Sequence, residues 1–258
     1  MMTGFHEPDQ FTHRRILLSL QGLDKSGKTF FSLTAPPPIA FFDSDRGLEG
    51  VVDSFRDKDI RIYDVPDAKE IAMSDDGPVS DAQGAWKETK NHIMQALKDK
   101  EIRTLVFDTA TEIWELLRLA HFGKLLAVPP LAYTPVNMEY RNLVLAAKNR
   151  YQKTLILIHK VKDEYKDTID AKGRPKSIKT GNYILSGFNQ TGGLVDANII
   201  TSFDLSRHED PAECFGLEVK NCRQNVQLTG MTFDGSEACN FPALATFMFP
   251  GSEMEEWI

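Results

Sequence analysis

The stretch that decides the fold is residues 16–29, ILLSLQGLDKSGKT, in which an apolar run leads into a glycine-rich turn. Residues 16–20 predict a buried strand, and residues 30–33 predict a short helix after the turn. Between them, residues 22–29 fit the pattern G-x-x-x-x-G-K-[ST]. In such a loop the backbone N–H groups turn inward around phosphate oxygens. The sequence therefore predicts a nucleotide phosphate site at the end of the first strand.

Two further residues complete the predicted chemistry of this loop. Lys28 is expected to pair with the β- and γ-phosphates of ATP, and the Thr29 hydroxyl to ligate Mg²⁺. A second apolar run, residues 104–107, ends at Asp108, whose carboxylate would hold a magnesium-bound water at the same sheet edge. The alternative is a glycine-rich turn and an ordinary turn aspartate. The residues expected to bind ATP are Gly22, Leu23, Asp24, Lys25, Ser26, Gly27, Lys28 and Thr29.

Hydrolysis also needs a group that orients the attacking water. Many motor ATPases place a glutamate directly after the magnesium aspartate, but here that residue is Thr109. We predict Asp45, after the apolar run 39–42, for this role, with Glu49 as the second choice. The alternative for Asp45 is the N-cap of a helix over residues 46–55.

Strands alternate with helices along the first two thirds of the chain, which predicts an α/β fold. We expect a mostly parallel twisted sheet with helices on both faces. Residues 199–206, 215–220 and 226–233 are strand-like without long helices between them and predict a β-meander at one edge. The other predicted elements are strands at 60–65 and 154–158, helices at 86–97, 111–122 and 136–150, and a surface loop at 66–81. The predicted organisation is an arm (1–15), one ATPase domain (16–249) and an acidic tail (250–258).

Composition restricts the class of protein. The chain has 258 residues, 41% of them hydrophobic and 26% charged, which is typical of a globular protein and excludes disorder. Its three cysteines show no metal-ligand spacing, so we expect no zinc site and a reducing cytoplasmic location. No apolar run approaches the ~20 residues that cross a bilayer, so no membrane partner is expected. The net charge of −7 at first argues against a protein that coats nucleic acid.

Several of these segments together resemble the core of the RecA-like recombinases. They are residues 22–29, 42–45, 105–109 and 155–160, followed by a later stretch at 192–223, and the resemblance covers about residues 15–235. The segment FFDSDRGLEG, residues 41–50, more narrowly resembles the phage single-strand-annealing ATPases of the Sak group. The resemblance implies a RecA-like P-loop NTPase core for the predicted α/β domain.

It also implies roles for individual residues. Asp45 falls where the family carries its catalytic glutamate, and the aspartate is one methylene shorter. His159 and Lys160 fall where the family has an Asn-Gln pair that senses the γ-phosphate and signals to the DNA-binding loop. Lys220 and Arg223 fall where RecA-like filaments supply cations to the ATP of the neighbouring subunit. Their alternative role is surface charge at a strand end. The resemblance therefore implies a homo-oligomer, either a ring or a filament.

A local excess of positive charge marks the predicted DNA-binding surface. Residues 160–179 contain seven basic and four acidic residues, a net charge of +3, so the rest of the chain carries −10. We predict a long loop over residues 160–193, and single-stranded DNA binders combine such cations with aromatic stacking. Tyr165 and Phe188 are further stacking candidates; the alternative is a solvated loop with buried aromatics. The predicted DNA contacts are Lys166, Lys172, Arg174, Lys176, Lys179 and Tyr183.

The predicted function is an ATP-hydrolysing protein that binds single-stranded DNA and promotes homologous recombination or strand annealing. One alternative is a nucleotide-gated DNA-binding module with little hydrolysis. Another is a DNA motor of the helicase or packaging type, which the absence of an accessory domain disfavours. The predicted partners are single-stranded DNA, further copies of the chain and a single-strand-binding protein. If the chain is phage-encoded, the location is the host cytoplasm.

Overall fold

The computed structural model describes residues 15–73, 78–124, 128–169 and 173–258. The predicted arm at residues 1–15 lies outside these ranges apart from its last residue. Among the described residues the strands are β1 (Leu17–Gln21), β2 (Ile39–Asp43), β3 (Ile60–Asp64), β4 (Thr104–Asp108), β5 (Thr154–His159), β6 (Val161–Ile169), β7 (Pro175–Leu185), β8 (Ala197–Phe203), β9 (Phe215–Cys222) and β10 (Thr232–Asp234).

Helices connect most of the parallel strands. In the same described ranges they are α1 (Lys28–Leu33), α2 (Ala68–Ala72), α3 (Pro78–Lys98), α4 (Ala110–Phe122), α5 (Thr134–Asn149), α6 (Thr191–Leu194) and α7 (Phe241–Met248). Short 3-10 helices lie at Val52–Phe55, Pro130–Tyr133, Pro211–Cys214, Val226–Leu228 and Met254–Trp257. None of the described helices is both long enough and apolar enough to cross a membrane.

The main sheet has the order β10-β9-β8-β1-β5-β4-β2-β3 over the residues described. The pairs from β8 through β1, β5, β4 and β2 to β3 are parallel, and β9 and β10 add antiparallel pairs at one edge. The predicted α/β class, mostly parallel sheet and terminal meander are therefore confirmed. The last meander segment is shorter than predicted, because Val226–Leu228 forms a 3-10 helix before β10.

Side-chain alternation along the central strands builds a hydrophobic core on each face of the sheet. On one face, residues such as Leu105 and Phe107 of β4 pack with the apolar sides of α3, α4 and α5. On the other face, Val106 of β4 and Ile156 of β5 pack with α1 and α7. Because β1, β2, β4 and β5 run parallel, their carboxyl ends come together at one edge of the sheet, which the helices on the two faces leave open to polar side chains.

The segment predicted as a surface loop over residues 66–81 instead contains α2 and the start of α3. Asp67 is the N-cap of α2, and its side chain accepts a hydrogen bond from the backbone N–H of Lys69. Ala68 is buried against the core. The prediction was wrong because the Asp, Gly, Pro and Ser residues that indicated a loop also include the cap that begins a helix.

The long loop predicted over residues 160–193 was also wrong, because most of it is an antiparallel hairpin of β6 and β7. This hairpin forms its own two-stranded sheet, separate from the main one. Nearly all of its β7 residues are exposed. With no buried face, the sequence lacks the alternation of apolar and polar residues that would identify the strands.

Two aromatic residues, one in the predicted loop and one in the predicted tail, are buried. Phe188 has 1% of its surface exposed and packs against Trp114 and Tyr140, so it is not available to stack on a base. In the predicted tail, Trp257 is 2% exposed and packs on Phe241 and Phe249. Residues 250–258 therefore complete the core beside α7.

Candidate active site

The phosphate loop, residues 22–29, lies between β1 and α1 at the carboxyl edge of the sheet. Gly27 has φ +84°, in the left-handed region where a side chain is strained. A Cβ atom at Gly27 would lie 2.6 Å from the ring of Phe215. A Cβ atom at Gly22 would lie 2.5 Å from Ser26 Oγ and 2.5 Å from the carbonyl oxygen of Thr201. The shape of the loop therefore requires both glycines.

Lys28 curls back over this loop. Its Nζ donates hydrogen bonds to the carbonyl oxygens of Gly22, at 3.0 Å, and Leu23, at 2.6 Å. Burial lowers the pKa of Lys28, and the nearby carboxylate of Asp24 opposes that change. Both hydrogen-bond acceptors are neutral, and phosphate oxygens would form stronger, charge-assisted bonds with the same ammonium group. The side chain is thus placed to exchange backbone partners for a polyphosphate.

The side chains of Thr29 and Asp108 meet beside the phosphate loop, at the carboxyl edge of the sheet. Thr29 Oγ1 donates a hydrogen bond of 2.6 Å to Asp108 Oδ2. Asp108 is 3% exposed, and burial raises its pKa to about 7 against the opposing effect of the Thr29 bond. Mg²⁺ prefers oxygen ligands and is held by few protein groups together with substrate phosphates and water. The two side chains fit that requirement, and no larger cluster of metal-ligating residues exists in the described part of the chain.

The carboxylates at the end of β2 and in the turn after it differ in their surroundings. Asp43 is buried, and its carboxylate accepts hydrogen bonds from the backbone N–H groups of Asp45, Gly47 and Leu48, so it stabilises the turn. Asp45 is exposed and lines the cleft with Lys28, Thr29 and Asp108. Glu49 is exposed and lies outside that lining. The geometry therefore favours Asp45 over Glu49 as the residue that faces a nucleotide.

His159 and Lys160, at the end of β5, are directed to different places. His159 is completely buried and does not line the cleft. Burial also lowers the pKa of His159 to about 3, which keeps its ring neutral. Lys160 does line the cleft, and its Nζ is 3.7 Å from Asp45 Oδ2. Of the two predicted phosphate sensors, only Lys160 is presented to the nucleotide.

A further carboxylate, Glu112, was missed by the sequence analysis. Its Oε1 accepts a hydrogen bond of 2.8 Å from Lys160 Nζ. Burial alone would lower the pKa of Lys160, but the hydrogen bond to Glu112 together with the negative charges of Glu112, Asp45 and Asp24 raises that pKa. Glu112 lies in the first turn of α4, and Thr109 caps that helix by accepting the backbone N–H of Glu112. The spacing Thr109-x-x-Glu112 is a helix-start signal that could have drawn attention to it.

Two clefts lie on opposite sides of the phosphate loop and share Asp24, Lys25 and Ser26. The first has a volume of about 530 Å³, and its lining includes Lys28, Thr29, Asp45, Asp108, Lys160 and Phe215. The second, of about 790 Å³, lies between the phosphate loop and the hairpin and is lined by Tyr183 and Lys220, among others. The first cleft contains Lys28, Thr29 and Asp108, the residues predicted to bind phosphate and Mg²⁺, and we call it the nucleotide cleft.

Residues 14–180 match the sequence model of the AAA domain family, and the match spans well over half of the chain. The chain belongs to the AAA domain family. With β5 between the phosphate-loop strand β1 and the Asp108 strand β4, this AAA domain protein has the core of a P-loop ATPase. No curated protein matches it in sequence.

Two solved structures resemble this AAA domain protein at low similarity. One is a RadB recombinase, at 13% identity and TM-score 0.46 over 85% of this chain and 86% of that one. The other is a KaiC-like protein from the hyperthermophilic archaeon Pyrococcus horikoshii OT3, at 14% identity and TM-score 0.44 over 85% of this chain and 84% of that one. At these values neither resemblance carries an argument about function.

The two cations predicted to act across a subunit interface lie at the end of β9. Lys220 is half-exposed, lines the larger cleft and lies 3.5 Å from Glu218. Arg223 is also half-exposed, and its Nη1 lies 3.7 Å from the buried carboxylate of Asp196. Neither side chain lines the nucleotide cleft of its own chain. The role of Lys220 and Arg223 across a subunit interface therefore stays a prediction.

The hairpin carries most of the predicted DNA contacts of this AAA domain protein. Lys166, Lys176 and Lys179 lie on its strands, and Lys179 forms an ion pair of 2.8 Å with Asp163. Arg174 directly precedes β7 and is exposed, whereas Lys172 lies outside the described residues. Tyr165 and Tyr183 are 60% and 48% exposed. The hairpin therefore presents cations and aromatic rings beside the phosphate loop.

Proposed function

We propose that this protein is a Mg²⁺-dependent ATPase whose turnover is coupled to single-stranded DNA bound on the β6–β7 hairpin. In this proposal it promotes homologous recombination or strand annealing. The observation that carries it is the position of Lys160, which lines the nucleotide cleft and directly precedes β6. A contact between Lys160 and a bound nucleotide would thus be made one residue before β6, the first strand of the hairpin.

The surface of the hairpin supports single-stranded DNA as the ligand. Its exposed lysines offer cations to a phosphate backbone, and Tyr165 and Tyr183 offer flat faces to unpaired bases. Exposed apolar side chains at Ile169 and Ile178 extend this surface. Duplex DNA hides its base faces, so the exposed aromatic rings favour a single strand.

We also propose that the protein works as a homo-oligomer, a ring or a filament. Lys220 and Arg223 would then reach the nucleotide of a neighbouring subunit and stabilise charge that develops during phosphoryl transfer. The resemblance of residues 41–50 to phage annealing ATPases supports annealing in particular. A single-strand-binding protein would be a natural partner, because it presents the strands to be annealed.

The test is ATPase activity measured with and without single-stranded DNA, with the same samples imaged for rings or filaments. We expect DNA to stimulate turnover in the wild type. In a double variant, Lys166→Ala with Lys176→Ala, we expect weaker DNA binding. The slope of log affinity against log salt should fall by roughly 0.7 for each lysine–phosphate interaction that the substitutions remove.

A matched control removes two exposed lysines from α3, Lys87→Ala with Lys98→Ala, and should leave the salt slope unchanged. Equal slopes in the hairpin variant and the wild type would exclude these lysines as phosphate contacts. Turnover that does not respond to DNA, together with an unchanged assembly state, would overturn the proposal.

One observation supports a second candidate function, a nucleotide-gated DNA-binding module with little hydrolysis. Asp45, the candidate that orients water, lies 3.7 Å from the cation of Lys160. A carboxylate that is engaged by a cation is less free to hold an attacking water, so hydrolysis would be slow. DNA binding that depends on ATP, with turnover that stays at background, would favour this module over the ATPase.

A further inference from the structure

The buried carboxylate of Glu112 pairs with Lys160 at the edge of the nucleotide cleft, although Glu112 itself does not line that cleft. Its side chain is 9% exposed, and Oε1 accepts hydrogen bonds from Lys160, at 2.8 Å, and from Lys69, at 3.3 Å. Oε2 is buried and has no hydrogen-bond partner among the described residues. A buried carboxylate holds its cations firmly, and loss of Lys160 would leave Glu112 with only the longer contact to Lys69.

Lys160 is the closer of the two cations, and its side chain also borders the nucleotide cleft. Its side chain is 35% exposed, and its ammonium group lies between Glu112 on one side and Asp45 on the other. It also lines the cleft in which Lys28 lies over the phosphate loop. A terminal phosphate that bound Lys28 would therefore enter a space that Lys160 already borders.

We propose that Glu112 is a positioning residue that competes with the terminal phosphate of ATP for the ammonium group of Lys160. The proposal rests on the proposed function, in which the cleft binds ATP. Without nucleotide, Glu112 holds Lys160 against α4. The γ-phosphate of ATP draws the ammonium group away, whereas ADP, which lacks that phosphate, leaves the pair intact.

This competition makes Glu112 a determinant of the preference between ATP and ADP. ATP must break the Glu112–Lys160 pair when it binds, so the pair weakens ATP binding and leaves ADP binding unchanged. The substitution Glu112→Gln keeps the shape of the side chain and removes its charge. It should therefore favour ATP specifically, which loss of general packing would not do.

The experiment measures the dissociation constants of fluorescent ADP and of a fluorescent non-hydrolysable ATP analogue. In Glu112→Gln we expect ATP-analogue affinity to rise about fivefold or more relative to ADP affinity. In Lys160→Met we expect the opposite, a selective loss of affinity for the ATP analogue. The double variant should behave like Lys160→Met, because Glu112 acts through Lys160.

The matched control is Glu115→Gln, on the same helix, whose carboxylate pairs with Arg118 outside the cleft. It should bind both nucleotides as the wild type does, and thermal unfolding of each variant verifies the fold. An unchanged or lower preference for the ATP analogue in Glu112→Gln would overturn this inference alone. If the wild type bound neither nucleotide, both this inference and the proposed ATPase would fail. If Lys160→Met kept full ATP preference, Lys160 would not be the contested cation.

Discussion

Asp43 and Asp45 show how two carboxylates only two residues apart have separate tasks. Asp43 ends β2 inside the sheet, and its oxygens are occupied by three backbone N–H groups of the following turn. Asp45 has left the strand, is exposed, and faces Lys160 across the cleft. At the residue scale, availability and not residue type distinguishes a catalytic candidate from a structural one.

The substitution Asp45→Asn tests this assignment. The amide keeps the shape of the side chain but cannot act as a base, so we expect nucleotide binding to persist and hydrolysis to fall about 100-fold or more. Steady-state turnover and nucleotide affinity, measured in parallel, separate the two effects. The control Glu49→Gln removes an exposed carboxylate outside the cleft and should leave turnover unchanged. The reverse result would transfer the role to Glu49.

The hairpin is joined to the catalytic domain through the first turn of α4. Thr111 Oγ1 accepts a hydrogen bond from the backbone N–H of Lys160, at 3.1 Å, and donates one to the carbonyl oxygen of Ser186, at 2.9 Å. Lys160 precedes β6 and Ser186 follows β7, so one hydroxyl group fixes both ends of the hairpin. Two residues before it, Thr109 caps the helix directly after Asp108.

Replacing this hydroxyl should loosen the hairpin. In Thr111→Val we expect the Lys160 amide to lose its acceptor, at a cost of about 1–3 kcal/mol, and the hairpin amides to exchange hydrogen faster. Hydrogen exchange followed along the chain measures this directly. The control Thr134→Val removes an exposed hydroxyl at the start of α5, which donates to the carbonyl oxygen of Leu131, and it should leave hairpin exchange unchanged. Equal protection of the hairpin in both variants would show that Thr111 does not anchor it.

On the scale of the whole molecule, the last residues of the chain complete the core on the α7 face of the sheet. The indole N–H of Trp257 donates to Ser252 Oγ at 3.1 Å, and its ring stacks on Phe249. Arg103, which precedes β4, donates to the Ile258 carbonyl oxygen at 2.8 Å. These contacts join the end of the sequence to the strand that carries Asp108.

We therefore expect Trp257→Ala to destabilise the whole domain by about 3–5 kcal/mol, because it empties a buried aromatic position. Denaturant unfolding measures this as a lower midpoint with an unchanged slope. Ile258→Ala, at a neighbouring residue that is 60% exposed, should change the free energy of unfolding by less than about 0.5 kcal/mol. Similar midpoints for Trp257→Ala and the wild type would show that the segment is not part of the core.

Much of the fold and part of the candidate site could be predicted from local patterns. The apolar strands, the loop at residues 22–29 and Asp108 were predicted because their signals lie within a few consecutive residues. The hairpin could not be predicted as strands, since both of its faces are largely exposed and its residues do not alternate. The burial of Phe188 was missed because its partners, Trp114 and Tyr140, are distant in sequence.

Local sequence patterns were enough to predict a phosphate loop, an aspartate at the end of a strand and a basic segment in an α/β fold. Which side chains contact one another follows from the packing of the folded chain. It buried His159 and presented Lys160, because β5 ends at His159 inside the sheet and Lys160 lies just beyond the strand, at the cleft. It also placed Glu112 beside Lys160, a contact between residues 48 positions apart. Such contacts follow from how helices pack on the sheet, which no local pattern encodes.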